Sequence, residues 1–428
     1  MPTPCRQPSW KTPDMTPSSH PGMRHFTALW LGQVISLLGS AMTWFAFTLW
    51  AWQKTEQAST LTTISFFAFL PTVLLTPIAG TFVDRWNRKL VMLFSDLGAA
   101  LGTLAALLLL LANKLEIWHV YIISLLAGFF TAFQYPAYNA AIATMLPKDQ
   151  YMRAEGMLGL APAISTVFAP LTAAALLPRI GIIGIMSLDL LTFGAAFTSL
   201  LLVRVPQPAA SEIGAQSRGS FWQETAFGFR YIRQRASLRG LVILFMAANF
   251  FLAIGATLMA PLILSRANHG EAALASVQSV GAVGGLVGGA ILSLWDGPKR
   301  RIHGILLGGA GACLLGITWL GMSSTLLMWS IGSFFFSFFE PFVEGGNLAM
   351  WLAKVEADVQ GRVFSARQLL VQLPYLLGAF ASGYLADWLG LSFMLVLAGL
   401  AGLAIFLFGY GMRVVRQAEI LLPDQPGG

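Results

Sequence analysis

The sequence predicts an all-α membrane protein with twelve transmembrane helices in two bundles of six. Three observations carry that prediction: the composition, the length of the apolar runs, and a one-sided distribution of lysine and arginine. Apolar residues make up 56% of the 428-residue chain and charged residues only 11%, whereas ordinary soluble domains carry roughly 25% charge. A soluble surface of this size needs far more charge, and a run of about 20 apolar residues is what crosses a bilayer.

Apolar runs bounded by loop signals place the spans at about 27–52, 60–83, 90–112, 117–145, 157–178, 182–203, 239–264, 272–295, 303–321, 325–351, 363–386 and 391–412. Internal Gly and Pro do not demote them, because neighbouring helices satisfy the freed backbone groups. With the N-terminus inside, 22 of the 26 basic residues fall on the inner side, leaving only Lys54, Lys114, Arg179 and Arg266 outside. That split satisfies the positive-inside rule and requires an even number of spans. It predicts a bacterial inner-membrane protein with both termini cytoplasmic.

The longest polar stretch lies between spans six and seven. The chain therefore divides into a cytoplasmic tail (1–26), a first bundle (27–203), a central loop (204–238), a second bundle (239–412) and a second tail (413–428). Val205 to Gly219 reads as a Pro-, Ser- and Gly-containing linker. The next segment mixes Phe221, Trp222, Phe229, Tyr231 and Ile232 with Arg230, Arg233 and Arg235. It reads either as an amphipathic helix on an anionic leaflet or as a solvated connector.

Several function classes are excluded or unmotivated. Cys5 and Cys313 offer no disulfide framework, and the scattered basic residues form no nucleic-acid surface. His20, His25, His119, His269 and His303 fall in tails, loops or span ends, so neither a metal centre nor histidine catalysis in the core is expected. No Gly-Lys dipeptide occurs, which removes a Walker A loop. The Pro-, Ser- and Thr-rich first 25 residues do not resemble a signal peptide. The expectation is a protein that is not an enzyme, works without a cofactor, and is monomeric in the bilayer.

The sharpest local motif is Gly80-x-x-x-Asp84-Arg85-x-Asn87-Arg88-Lys89, at the turn between spans two and three. Gly80 permits close helix approach, Asp84 places an acceptor at a helix end, and Asn87 tolerates a left-handed turn. Span eleven ends in a weak echo, Gly383-Tyr-Leu-Ala-Asp387, at the opposite face, as inverted three-helix repeats would leave it. The motif also fits an ordinary basic hairpin.

This segment resembles motif A of the major facilitator superfamily, with Asn87 where that motif usually has Gly. The resemblance implies two six-helix bundles, transport by alternating access, and a conformational latch built from Gly80, Asp84, Arg85, Asn87, Arg88 and Lys89. The turn Asp296-Gly-Pro-Lys299-Arg300-Arg301 is its degenerate counterpart. Val359-Gln-Gly361-Arg362-Val363-Phe364-Ser365 resembles a loop of the subgroup that holds macrolide-efflux proteins and the enterobactin exporter. Span five resembles the antiporter motif through Gly156, Ser165, Ala169 and Pro170, where small residues stand in for most of its glycines.

Acids at membrane depth are functional hypotheses, and here they are Asp96, Asp189, Glu340 and Glu344. Asp96 lies near the inner end of span three and would pair with the basic latch loop or handle protons. Asp189 resembles a subgroup feature and would bridge helices or carry a proton. Glu340 and Glu344 share one face of span ten beside Phe334, Phe335, Phe336, Phe338 and Phe339. No Lys or Arg is expected in the core of any span, which leaves this pair a polar group, a proton or a cationic substrate as partner.

The resemblance puts spans one, four, seven and ten around a central cavity. Gln33, Ser40, Trp44, Gln134, Tyr135, Tyr138, Asn139, Asn249 and Thr257 are its candidate lining. Acids and aromatic faces together suit an apolar, cationic compound. The expected activity is secondary export of small hydrophobic or amphipathic compounds by proton antiport. An importer or lipid flippase on the same scaffold, or a transport-inactive sensor, is the alternative.

Overall fold

The computed structural model describes residues 22–206, 221–267, 270–295, 298, 300–356 and 359–412. Within these, the described side chains exclude those of residues 76, 77, 80, 81, 84, 85, 143, 148 and 221–225. No strand occurs among the described residues. The helices are α1 (Met23–Thr55), α2 (Ala58–Arg85), α3 (Arg88–Leu111), α4 (Ile117–Met145), α5 (Tyr151–Leu202), α6 (Phe221–Gln234), α7 (Ala236–Arg266) and α8 (Gly270–Trp295). They continue as α9 (Arg301–Met322), α10 (Leu326–Lys354), α11 (Gln360–Leu389) and α12 (Leu391–Gly411).

Eleven of these helices, all but α6, are long and apolar enough to cross a membrane. One of them, α5, makes two passes. It reverses at Gly181, whose φ of 65° and ψ of 179° lie in a region open almost only to glycine. The expected twelve crossings are therefore present, with a glycine corner where the sequence suggested an outer loop. In α9 the segment Ala312–Thr318 widens to a π-helix. The Thr318 hydroxyl there donates to the Cys313 carbonyl at 2.9 Å.

α1 begins at what is termed here the N-terminal face, which also carries the α2–α3 turn. At the opposite face the two halves of the chain share one buried cluster. Met42, Phe45, Leu49, Ala169 and Ala173 pack there with Leu258, Leu262, Leu274 and Val277. Phe66 and Phe380 meet across the halves at 4.7 Å between ring centroids, and Ser279 donates to the Val167 carbonyl at 2.7 Å. Toward the N-terminal face the buried clusters separate. One holds Phe26, Met92, Met145 and Leu200 from the first half; another holds Leu241, Ile305, Met350 and Phe406 from the second. The bundles are thus joined at the opposite face and parted toward the N-terminal face.

The amphipathic segment is helical, but its apolar face is covered by protein rather than lipid. Tyr231 and Ile232 are buried with Trp351, Val355, Val363 and Ala366. A Cβ at Gly228 would meet that of Ala366 at 2.8 Å, so glycine is what lets α6 lie against α11. Its end is fixed by Arg235, whose guanidinium sits 3.4 Å from the Tyr231 ring centroid.

Candidate functional site

Inside the first bundle, α1, α3, α4 and both limbs of α5 surround a cavity of about 610 Å³. Among the described residues its lining comes from the first half of the chain alone. This cavity is distinct from the space between the two bundles, where the sequence led us to expect the lining to lie. Small residues let the walls approach: a Cβ at Gly39 would lie 3.1 Å from Asp189 Oδ1, and one at Gly32 would lie 3.3 Å from the Ala196 Cα.

Two buried acids define this site. Asp96 on α3 accepts a hydrogen bond from Gln33 Nε2 at 3.1 Å and another from Gln134 Nε2. Gln134 Nε2 also donates to Gln33 Oε1 at 3.3 Å, which closes a three-residue ring. Asp189 on the second limb of α5 accepts from Ser40 Oγ at 3.0 Å and from Thr103 Oγ1 at 3.3 Å. Gln33 and Ser40 are seven residues apart on α1, so the acids sit at two levels about 10 Å apart along that helix. Asp96 therefore bonds to two glutamines inside the cavity, and Asp189 bridges α1, α3 and α5.

Of the other expected lining residues, Trp44, Tyr135 and Tyr138 face this cavity. The buried Tyr138 hydroxyl has no hydrogen-bond partner among the described residues. Asn249 and Thr257 do not line it. Asn249 Nδ2 points at the Val371 carbonyl, 3.5 Å away, and the Thr257 hydroxyl lies 3.0 Å from that of Ser382. Both tie α7 to α11. Asn139 also lies outside the lining, and its buried Oδ1 has no partner among the described residues.

The span-five motif splits. Ser165 donates to the Leu37 carbonyl at 3.2 Å, and Ala169 and Pro170 are buried. Gly156 is exposed, and a Cβ there would meet nothing within 4 Å, so it is not a packing glycine in this conformation.

Glu340 and Glu344 stand exposed on α10, away from this cavity. Glu344 Oε2 lies 3.9 Å from Arg367 Nη2, which corrects the expectation that this pair has no cationic partner. Arg367 sits two turns inside α11, and its guanidinium is 5.4 Å from the Trp351 ring centroid. The phenylalanine run is a packing surface. A Cβ on Gly284 or Gly288 of α8 would come within 3.0 Å of the Phe334 or Phe338 carbonyl carbon.

At the α2–α3 turn, Gly80 and the side chains of Asp84 and Arg85 lie outside the described residues. Asn87 is not left-handed. Its φ of −67° and ψ of 112° are extended, and its side chain caps α3 by accepting from the Leu90 amide. Arg88 donates to the Ala140 carbonyl at 2.6 Å. Lys89 donates to the carbonyls of Leu201 and Val203, at 2.8 and 2.9 Å. Lys89 thereby closes the C-terminal end of α5, where a cation is favoured, and Arg88 ties α3 to the last part of α4.

Sequence reasoning missed the contacts that hold the opposite face. Asp387 accepts from the backbone amides of Ala58 and Ser59, and Tyr384 meets Thr63 at 3.3 Å between hydroxyls. The Gly383–Asp387 echo pointed at this segment without revealing its partner.

Two bundles joined at one face, parted at the other and holding acids at membrane depth define a multi-pass secondary membrane transporter. The family model of the Major Facilitator Superfamily matches residues 29–379, and the chain belongs to that superfamily. It is 28% identical over 384 residues to macrolide efflux protein A of Streptococcus pyogenes, covering 87% of this chain and 92% of that one. Among solved structures, a bacterial homologue of the iron transporter ferroportin in an inward-facing state superposes with a TM-score of 0.64 at 16% identity. That match covers 90% of this chain and 98% of the other. The POT family transporter PepTSo gives 0.70 at 11% identity, covering 94% and 99%. These two show the fold alone.

Proposed function

We propose that this transporter exports small hydrophobic or amphipathic compounds from the cytoplasm of a bacterial cell by proton antiport. The observation that carries the reading is the first-bundle cavity, in which Asp96 and Asp189 are buried with neutral donors and, among the described residues, no Lys, Arg or His side chain in the lining. Buried acids without a basic partner exchange protons more readily than ion-paired ones. The 22-to-4 split of basic residues supports a cytoplasmic N-terminal face, and in this reading the parted bundles open inward. The similarity to a macrolide efflux protein favours export over import.

In this reading Gly80, Asp84, Arg85, Asn87, Arg88 and Lys89 belong to a latch that engages when the cytoplasmic face closes. Glu340 is a third acid available for coupling, and the chain works as a monomer. Inverted membrane vesicles test the proposal. Dye accumulation is expected on energisation and should collapse when the proton gradient is dissipated. Accumulation that ignores the gradient would remove proton coupling, and uptake only into right-side-out vesicles would make the chain an importer.

A further inference from the structure

The two acids of the first bundle are held by chemically different donors, and the difference is informative. Asp96 is held by two carboxamides, Gln33 and Gln134, whose Nε2 atoms both donate to it, while Gln33 Oε1 is already occupied by Gln134. Carboxamide nitrogens only donate. Donors that cannot become acceptors match the carboxylate form of Asp96 better than its protonated form. Asp189 is held by the hydroxyls of Ser40 and Thr103. A hydroxyl donates or accepts according to how its rotor stands, so Asp189 can gain or lose a proton with no movement of heavy atoms.

Position separates them in the same way. Asp96 is level with Gln33, toward the N-terminal face where the bundles part and where Trp30 and Glu155 complete the lining. Asp189 is two helical turns deeper, level with Ser40. The other titratable groups lining the cavity, counting α1, α3, α4 and both limbs of α5, are Glu155, Tyr135 and Tyr138. The indoles of Trp30 and Trp44 add aromatic faces, which attract cations.

Building on the proton-antiport reading, we propose that the acids divide the work of exchange. Asp96 seats the cationic group of an amphipathic substrate, and Asp189 carries the exchanged proton. The carboxylate of Asp96 uses two of its roughly four lone-pair sites on the glutamines and offers the rest to the ligand. The proton that enters from outside binds a carboxylate oxygen of Asp189 and leaves to the cytoplasm, so no other reactant is needed.

Tetraphenylphosphonium and its isosteric anion tetraphenylborate are the probes, used on the full-length protein in lipid nanodiscs and in proteoliposomes. The unmodified protein should bind the cation at least about tenfold more tightly than the anion. Asp96→Asn should weaken cation binding by at least about tenfold at every pH tested. Asp96→Glu, which keeps the charge, should recover most of it and exclude a folding defect. Asp189→Asn should retain cation binding and still exchange labelled for unlabelled cation, but no longer concentrate it after a pH jump.

Failure of the unmodified protein to prefer the cation would overturn the proposal. So would normal binding by Asp96→Asn, loss of binding in Asp189→Asn, concentration by Asp189→Asn, or loss of cation binding in Glu155→Gln alone. The antiport reading fails separately, if the unmodified protein moves substrate without response to a proton gradient.

Discussion

Asp387, at the end of α11, accepts the first two amide N–H groups of α2, from Ala58 at 2.8 Å and Ser59 at 3.0 Å. These amides have no partner within their own helix, and the positive end of α2 favours an anion. A carboxylate of the second half thereby caps a helix of the first, at the face where the bundles are joined. Close approach is possible because a Cβ on Gly383 would fall 2.6 Å from the Ser59 Cα.

Breaking this cap should release the closed face. Hydrogen bonds to a charged group contribute on the order of 2 kcal/mol, so Asp387→Ala should shift the balance of the two open states by roughly thirtyfold. Spin labels on Glu56 and Ala267 would report it as a new, longer distance population. Gly383→Val should give the same shift by sterics. An unchanged distance distribution in both variants would leave the contact without a gating role.

The turn after α2 offers a milder test. Asn87→Ala removes the side-chain acceptor at the start of α3 and should cost about 1 kcal/mol, whereas Asn87→Gly, the residue usual in the motif this segment resembles, should cost only about a few tenths. Thermal unfolding in detergent should rank the two in that order.

Gly181 makes a stronger demand. At its φ of 65° and ψ of 179° an L side chain costs on the order of 1–3 kcal/mol, although a Cβ there would meet nothing within 4 Å. Gly181→Ala should therefore lower the unfolding temperature through backbone strain alone. A variant as stable as the unmodified protein would mean that the corner relaxes into another shape.

Glu340 and Glu344 should separate in function. Glu344 is a half-exposed partner of the mostly buried Arg367, so Glu344→Gln leaves that guanidinium without its carboxylate and should lower the unfolding temperature. Glu340→Gln should reduce gradient-driven export more than it reduces protein abundance. Equal loss of export and abundance would make Glu340 a structural residue.

The helices were legible because an apolar run of span length has few other fates in a chain with so little charge. Their joints were less so. Pro178 and Arg179 marked the outer corner of α5, yet nothing there told an outer loop from a single turn at Gly181, and Arg367 counted as an inner-side cation although it lies two turns inside α11. Acids at depth were visible from residue type alone. Their partners were not, since Gln33 and Gln134 reach Asp96 from 63 and 38 positions away. Nor could periodicity tell a cavity within one bundle from one between two: Gln33 and Ser40 point inward on α1, while Thr257, a similar polar residue, serves the α7–α11 contact.

Arg88 and Lys89 hold two jobs that selection cannot separate. As inner-loop cations they help choose the orientation in which the chain enters the membrane; as donors to Ala140, Leu201 and Val203 they tie α3 to α4 and to the end of α5. Relocating a lysine from position 89 to another site in that short turn would preserve the insertion signal and abandon the carbonyls. Biogenesis and architecture would then come apart, giving a correctly oriented protein with a loosened first bundle.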